Sequence, residues 1–313
     1  MSMRVGDNFT YQVYETQLSN LQAQMEQTSE EVASGKKVQV PSDNPSSYAQ
    51  NLEVLAQQSQ NTQYGKNLDS LQATGSYYET SVNSIGNILS SIQQLAVEQS
   101  SSTVDADSRT AAADEVNDLI QQLATVGNTK VGDTYIFGGT QSNNPPYTVD
   151  TSSGAPVVTF QGSAKVGQVA VNSSTTIDAG ISGQSIFTGT VNGQSVDIFQ
   201  TLQTFGADLA NTANLSTTQQ TAALETDLGN ISSCVDLTAN NLAYVGTYTK
   251  NINNLLTTNA NANTTLAQDS SSLVDVDMAK AVSDYTTLST AYQAALYTMS
   301  KVESMNILNY MPA

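Results

Sequence analysis

Any chemistry in this chain has to come from carboxylates, hydroxyls, lysines and one thiol, because its 313 residues include no histidine and a single cysteine. Without imidazole there is no Ser–His–Asp or Cys–His relay and no histidine-ligated metal centre. Cys234 falls between Ile231 and Leu242 in a helical pattern, where a small buried side chain is expected rather than a reactive thiolate. Gly35-Lys36-Lys37 looks like the end of a phosphate loop, yet that loop needs glycine where Glu30 stands and a hydroxyl where Lys37 stands. The pairs Asp105/Asp107 and Asp275/Asp277 lack the glycine and closing glutamate of a calcium loop. Helix N-terminal acids, favoured by the macrodipole, account for both pairs. Asp114, Glu115 and Asp118 fit a solvated helix face. The tyrosines could stack bases, but the lysines and arginines that such a platform needs beside them are missing. No catalytic, metal or cofactor site emerges, and an enzyme is the least favoured reading.

Composition points the same way. A net charge of −18 with only 10 basic residues argues against a surface that tracks nucleic-acid phosphates. Met1 to Asn8 does not join a basic stretch to an apolar one, so no cleavable signal peptide is expected. No run is apolar and long enough to span a membrane.

What the chain has in quantity is helical periodicity. Near the start, Tyr11, Tyr14, Leu18, Leu21, Met25, Thr28 and Val32 step by threes and fours, and near the end Met278, Ala281, Tyr285, Leu288, Tyr292, Ala295, Met299 and Val302 do the same. Such steps wind apolar side chains into one stripe that must pack against other helices. Val5, Phe9, Leu296, Ile307, Leu308, Tyr310 and Met311 add apolar surface off the main stripes, and a helix apolar on more than one face wants several neighbours. Interchain burial of the two ends is therefore expected. The predicted assembly residues are Tyr11, Tyr14, Leu18, Leu21, Met25, Val32, Tyr285, Leu288, Tyr292, Leu296, Met299, Val302, Ile307 and Leu308.

The first helix should run from about Asn8 to Ser34 and stop at Gly35. Asn44 and Pro45 then read as cap and first residue of a long helix. Its stripe is Tyr64, Leu68, Leu71, Gly75, Tyr78, Val82, Ile85, Leu89, Ile92 and Ala96, extended upstream by Leu52 and Leu55. After Ser100-Ser101-Ser102, a capping box from Ser102 to Asp105 should start a shorter helix ending near Gly127. Between about 132 and 200 the pattern turns β-rich, with runs at 134–137, 157–160, 166–171 and 196–199. Helical spacing resumes at Leu202, Phe205 and Leu209. A second long stripe goes from Leu224 to Leu266, and Ser272 with Asp275 should cap the last helix.

The expected fold is mainly α: an elongated bundle of long coiled-coil-like helices with paired terminal helices and a small inserted β-rich domain. The expected divisions are residues 1–45 with 275–313 as a terminal assembly domain, 46–140 with 200–274 as a long-helix rod, and 141–199 as an outward-facing insert.

The segment from Ser34 through Gly35-Lys36-Lys37 to Pro41-Ser42-Asp43-Asn44-Pro45 closely resembles the signature of the bacterial flagellin superfamily. The tail, with Asp275-Val276-Asp277-Met278-Ala279-Lys280, Tyr292 to Leu296 and Asn306 to Met311, is similar to its C-terminal helix. Gly132 to Thr140, Pro145-Pro146-Tyr147, Val158 to Gly162 and Gly183 to Phe187 look most like the branch found at the hook–filament junction. The close at Leu308-Asn309-Tyr310-Met311 does too. Tyr147 stands where phenylalanine is common there, and Ile307-Leu308-Asn309 replaces Leu-Leu-Asp.

This resemblance implies a structural protein of the flagellum, secreted to the cell exterior by the flagellar type III apparatus, with no cofactor. Its implied partners are further copies of itself in a ring of about one helical turn, the first junction protein on the hook, flagellin, and a cytoplasmic export chaperone at the C-terminal region. Nucleic acid and membrane are not among them. Terminal segments 1–40 and 275–313 are expected to order on assembly. A filament subunit is the alternative within the superfamily, and a binding module presenting the β insert to a ligand is the alternative outside it.

Overall fold

The computed structural model describes residues 3–101, 103–152 and 154–308, and the side chains of residues 11–301 within those stretches. The order of elements leads into and out of a β-rich middle: α1 (Met3–Ser34), α2 (Pro45–Gln99), α3 (Ala106–Gly127), eight short strands with α4 (Gly183–Phe187) among them, then α5 (Ile198–Leu209), α6 (Thr217–Val274) and α7 (Met278–Leu308). The chain divides into two compact units, one from residues 1–60 with 262–313 and one from residues 61–261.

Local chemistry sets most of the boundaries. Gly35 adopts φ +71° and its N–H returns 2.9 Å to Glu31 O, which ends α1. Asn44 Oδ1 accepts from Ser47 N at 3.0 Å, capping α2 ahead of Pro45. Two expected caps shift. Asp105 itself caps α3, accepting from Ser108 N at 2.7 Å; Ser102 lies outside the described residues. Likewise Asp277 caps α7, accepting from Ala279 N and Lys280 N. Ser272 stays inside α6, whose hydrogen bonding runs on until Asp275 N donates to Ser271 O at 2.9 Å. Helix α6 begins with a capping box that sequence reading missed: Ser216 N and Oγ both donate to Gln219 Oε1.

In the second unit α2 and α6 run antiparallel. Positions 65, 75 and 86 of α2 meet Asn259, Thr249 and Thr238 of α6, and all three α2 positions are glycines. Around Gly75 the approach is close enough that a Cβ would stand 3.1 Å from Thr249 Oγ1. The long stripe is buried as expected from Leu68 to Ala96. Upstream it is not: Leu52 and Leu55 are 52% and 43% exposed. They lie one residue off the inner face, which Asn51, Val54, Gln58 and Asn61 hold instead. Apolar type and helical phase part company there.

The main core joins α2, α3, α5 and α6 through Val82, Ile85, Leu89, Val116, Ile120, Leu202, Phe205, Leu224 and Ile231, among others. The β-rich part is four separate antiparallel hairpins: β1 (Lys130–Val131) with β2 (Thr134–Tyr135), β3 (Tyr147–Asp150) with β4 (Val157–Phe160), β5 (Gln168–Ala170) with β6 (Thr176–Asp178), and β7 (Thr188–Val191) with β8 (Gln194–Asp197). The β5–β6 hairpin packs on a second, smaller cluster with Leu68, Leu71 and Ile252. The run at 196–199 is thus half strand and half helix. Asp197 accepts from Gln200 N at 3.0 Å, and Ile198-Phe199 turn into the core as the first residues of α5. An aromatic group of Tyr147, Phe160, Phe187 and Phe199, with centroids 4.7–5.2 Å apart, fixes the β3–β4 hairpin to α4 and α5. Gly127 admits it, since a Cβ there would lie 2.6 Å from the Tyr147 ring.

Candidate assembly surface

In the first unit α1 packs on α7. On α1 the residues at expected stripe positions, Tyr11, Tyr14, Leu18, Leu21, Met25, Thr28 and Val32, are each half-buried, and most of their neighbours are exposed. The stripe of α7 meets it with Ala281 buried and with Leu288, Tyr292, Ala295 and Met299 half-buried. None of the named α1 residues is fully covered. A two-helix pair hides one side of each stripe and leaves the other in water.

Two predicted interface residues of α7 are exposed in the single chain. Tyr285, on the stripe itself, is 37% exposed and Leu296, beside it, 44%; Met278, Val282 and Tyr297 of the same helix are exposed as well. Val282 and Tyr297 were not singled out from sequence. The side chains of Val302, Ile307 and Leu308, and of Val5 and Phe9, lie outside the described residues, as do Tyr310 and Met311 altogether.

The loop between α1 and α2 clamps the pair at one end. Lys36 pairs with Asp275 as an isolated antiparallel bridge. Lys37 N donates to Val274 O at 2.7 Å and Val276 N to Gly35 O at 3.0 Å, while Lys37 Nζ reaches Ser272 O at 2.8 Å. Beneath them Val38, Val274 and Ala281 are buried. Asp43 Oδ2 accepts from Gln39 N and Val40 N at 2.9 and 3.1 Å. Those two donors hold its carboxyl below the usual carboxylate range. The basic loop is therefore a backbone tie between the two ends of the chain. Its charges are legible in the sequence, but the backbone pairing with Val274 to Val276 is not.

Elsewhere the groups weighed for chemistry have structural occupations. Cys234 is buried, and burial pushes its thiol up to about 11, so it carries no thiolate at neutral pH. Asp114, Glu115 and Asp118 are exposed on α3. Among the described residues, no helix is long and apolar enough to cross a membrane.

Two terminal helices paired and clamped at the root, with a helical body and a β-rich middle between them, define a flagellin-type assembly subunit. The chain belongs to the bacterial flagellin family: the flagellin N-terminal helical region matches residues 5–142 and the flagellin C-terminal helical region residues 230–311. Within that family it is similar to flagellar hook-associated protein 3 of Salmonella typhimurium, with 24% identity over 97% of this chain and 98% of the relative. The protein of the same name from Escherichia coli is 24% identical over the same shares. In three dimensions it is similar to flagellar hook associated protein-3 from Legionella pneumophila, with a TM-score of 0.60 and 12% identity over 69% of this chain and 96% of that one. At that identity the likeness speaks for the fold.

Proposed function

We propose that this chain is a structural subunit of the hook–filament junction of the bacterial flagellum, joining the first hook-associated protein to the flagellin filament. The observation that carries the reading is the nearly full-length match to relatives named hook-associated protein 3, on a chain whose two terminal helices pair and leave an apolar face uncovered. That face is the means of assembly. Copies bury Tyr285, Leu296 and their neighbours against one another in a ring of about one helical turn, while the half-buried seam holds α1 to α7 within each copy.

In this reading residues 1–45 with 275–313 are the assembly domain, 46–140 with 200–274 the supporting rod, and 141–199 an insert facing outward. The subunit is secreted through the flagellar export apparatus with a cytoplasmic chaperone on its C-terminal region, works outside the cell and catalyses nothing. Assembly adds protection to α1 and α7, so their amides should exchange faster in dilute protein than in the assembled ring.

A deletion strain tests the role. The expected result is hooks without filaments and flagellin released to the medium. Normal filaments would overturn the proposal. Extended polymers grown from the purified chain alone would favour the filament-subunit reading instead.

A further inference from the structure

The core of the second unit contains an acidic pair with no cation between its members. Asp227 is 2% exposed, on the buried face of α6 between Leu224 and Ile231. Asp208 faces it from the last turn of α5. With both carboxyls ionised, Asp227 Oδ2 has no donor; a proton on Asp227 turns the carboxyl into a donor to Asp208. Arg109 of α3 is also buried, but its guanidinium donates to Gln220 Oε1 at 2.8 Å and to Ser101 O at 2.9 Å, and it makes no ion pair with Asp227. The other charged groups on the packed elements point to solvent: Glu98 on α2, Asp114, Glu115 and Asp118 on α3, Glu225 and Asp236 on α6. Asp197 is engaged at the start of α5 as its cap.

We propose that Asp208 and Asp227 are a proton-operated latch at the α5–α6 joint, closed while the two carboxyls share one proton and loosened when both ionise. Four physical effects work together here. Burial disfavours a charge on Asp227, and the neighbouring Asp208 adds like-charge repulsion and a hydrogen bond to the protonated form. In addition, the end of α5 carries the negative pole of its helix, which opposes a second anion there. Together burial and Asp208 push the Asp227 carboxyl up to about 7. The folded chain therefore keeps a proton that the unfolded chain, with an ordinary aspartate at 3.8, has already released. The stabilisation is complete below that ordinary value and is lost as pH rises through about 7. A neutral tie persists throughout, because Gln220 Nε2 donates to Asp208 O at 2.8 Å and to Leu209 O at 3.1 Å. The joint loosens rather than opens. This device is independent of the junction role, since it needs neither partner nor assembly.

Thermal unfolding of the full chain between about pH 5 and about pH 8 tests the latch. The melting temperature should fall by several degrees toward the alkaline end. Asp227→Asn, whose amide mimics the protonated acid, should flatten that slope and melt above the native chain at the alkaline end. Asp208→Asn should flatten it too, by removing the repulsion. An unchanged slope in both variants would overturn the proposal. Should a variant not fold, the carboxyl carbon of Asp227 followed by NMR in the native chain decides: a midpoint near 7 is expected, and an ordinary aspartate midpoint refutes the latch.

Discussion

Asn61 and Asn259 bind each other reciprocally across the antiparallel α2 and α6. Asn61 Nδ2 donates to Asn259 O at 3.0 Å, and Asn259 Nδ2 donates to Asn61 O at 2.9 Å and to Asn61 Oδ1 at 2.7 Å. Each amide thus reads the opposite backbone as well as the opposite side chain. Leucines in a helix seam tolerate sliding, whereas a slip of one residue here would break all three bonds. Gly65 makes room for the pair, since a Cβ at that position would stand 3.0 Å from Asn259 Oδ1.

Removing that reader should therefore cost more than its size suggests. Asn259→Ala leaves two Asn61 acceptors without their donor, and the expected loss in urea unfolding is about 1–3 kcal/mol. Asn240→Ala, on the exposed side of α6, is the control and should change stability by less than about 0.5 kcal/mol. Equal effects of the two variants would show that the pair sets nothing.

The clamp loop depends on one backbone conformation. Gly35 holds φ +71°, and a Cβ there would meet nothing within 4 Å, so a side chain at 35 is opposed by its own backbone and not by crowding. Gly35→Val should weaken the tie by about 1–3 kcal/mol and speed tryptic cleavage at Lys36 and Lys37. Gly35→Asn, a residue that enters the left-handed region readily, should restore most of the resistance. If both variants are cut at the native rate, the loop is not held by this turn.

Acid should release the same loop. Because the folded state binds the ionised Asp43 through the N–H groups of Gln39 and Val40, its carboxyl lies below the ordinary 3.8. Its contribution is present above that ordinary value and disappears as pH falls through the lowered one. The amide shifts of Gln39 and Val40 should move together on acidification, with a midpoint below 3.8, and Asp43→Asn should abolish the transition. A midpoint at or above the ordinary value would sever Asp43 from the clamp.

The helices were legible because their causes are local. Gly35, Asn44 and Pro45 carry caps in their own chemistry, and the stripe from Leu68 to Ala96 repeats long enough to fix its phase. Leu52 and Leu55 show where that signal fails: once polar residues such as Asn51 and Asn61 take the inner face, apolar type no longer marks it. Ile198 and Phe199 show another limit. They have strand-forming side chains, and the Asp197 cap and the core beneath them make them helical. The α1 stripe, half-buried on α7, was readable from spacing. The clamp was not, because Gly35 to Lys37 pair with Val274 to Val276 only when opposite ends of the chain meet.

The last prediction concerns which face of α7 makes the assembly. Two sets of apolar residues lie on that helix, and charge should separate them. Tyr285→Lys with Leu296→Asp alters residues 37% and 44% exposed in the single chain, so neither change buries a charge within the subunit. The variant should fold, melt near the native temperature and keep the Lys36–Lys37 loop resistant to trypsin. In cells it should fail to restore filaments to a deletion strain, since copies would have to bury those charges unpaired, at about 3–5 kcal/mol or more for each. Leu288→Asp, on the half-buried seam, should do the reverse in the first respect: it loosens α1 from α7 before any partner arrives and lowers protection in the isolated chain. Filaments restored in full by the Tyr285→Lys, Leu296→Asp variant would remove the outer face of α7 from the interface and leave assembly to residues nearer the chain ends.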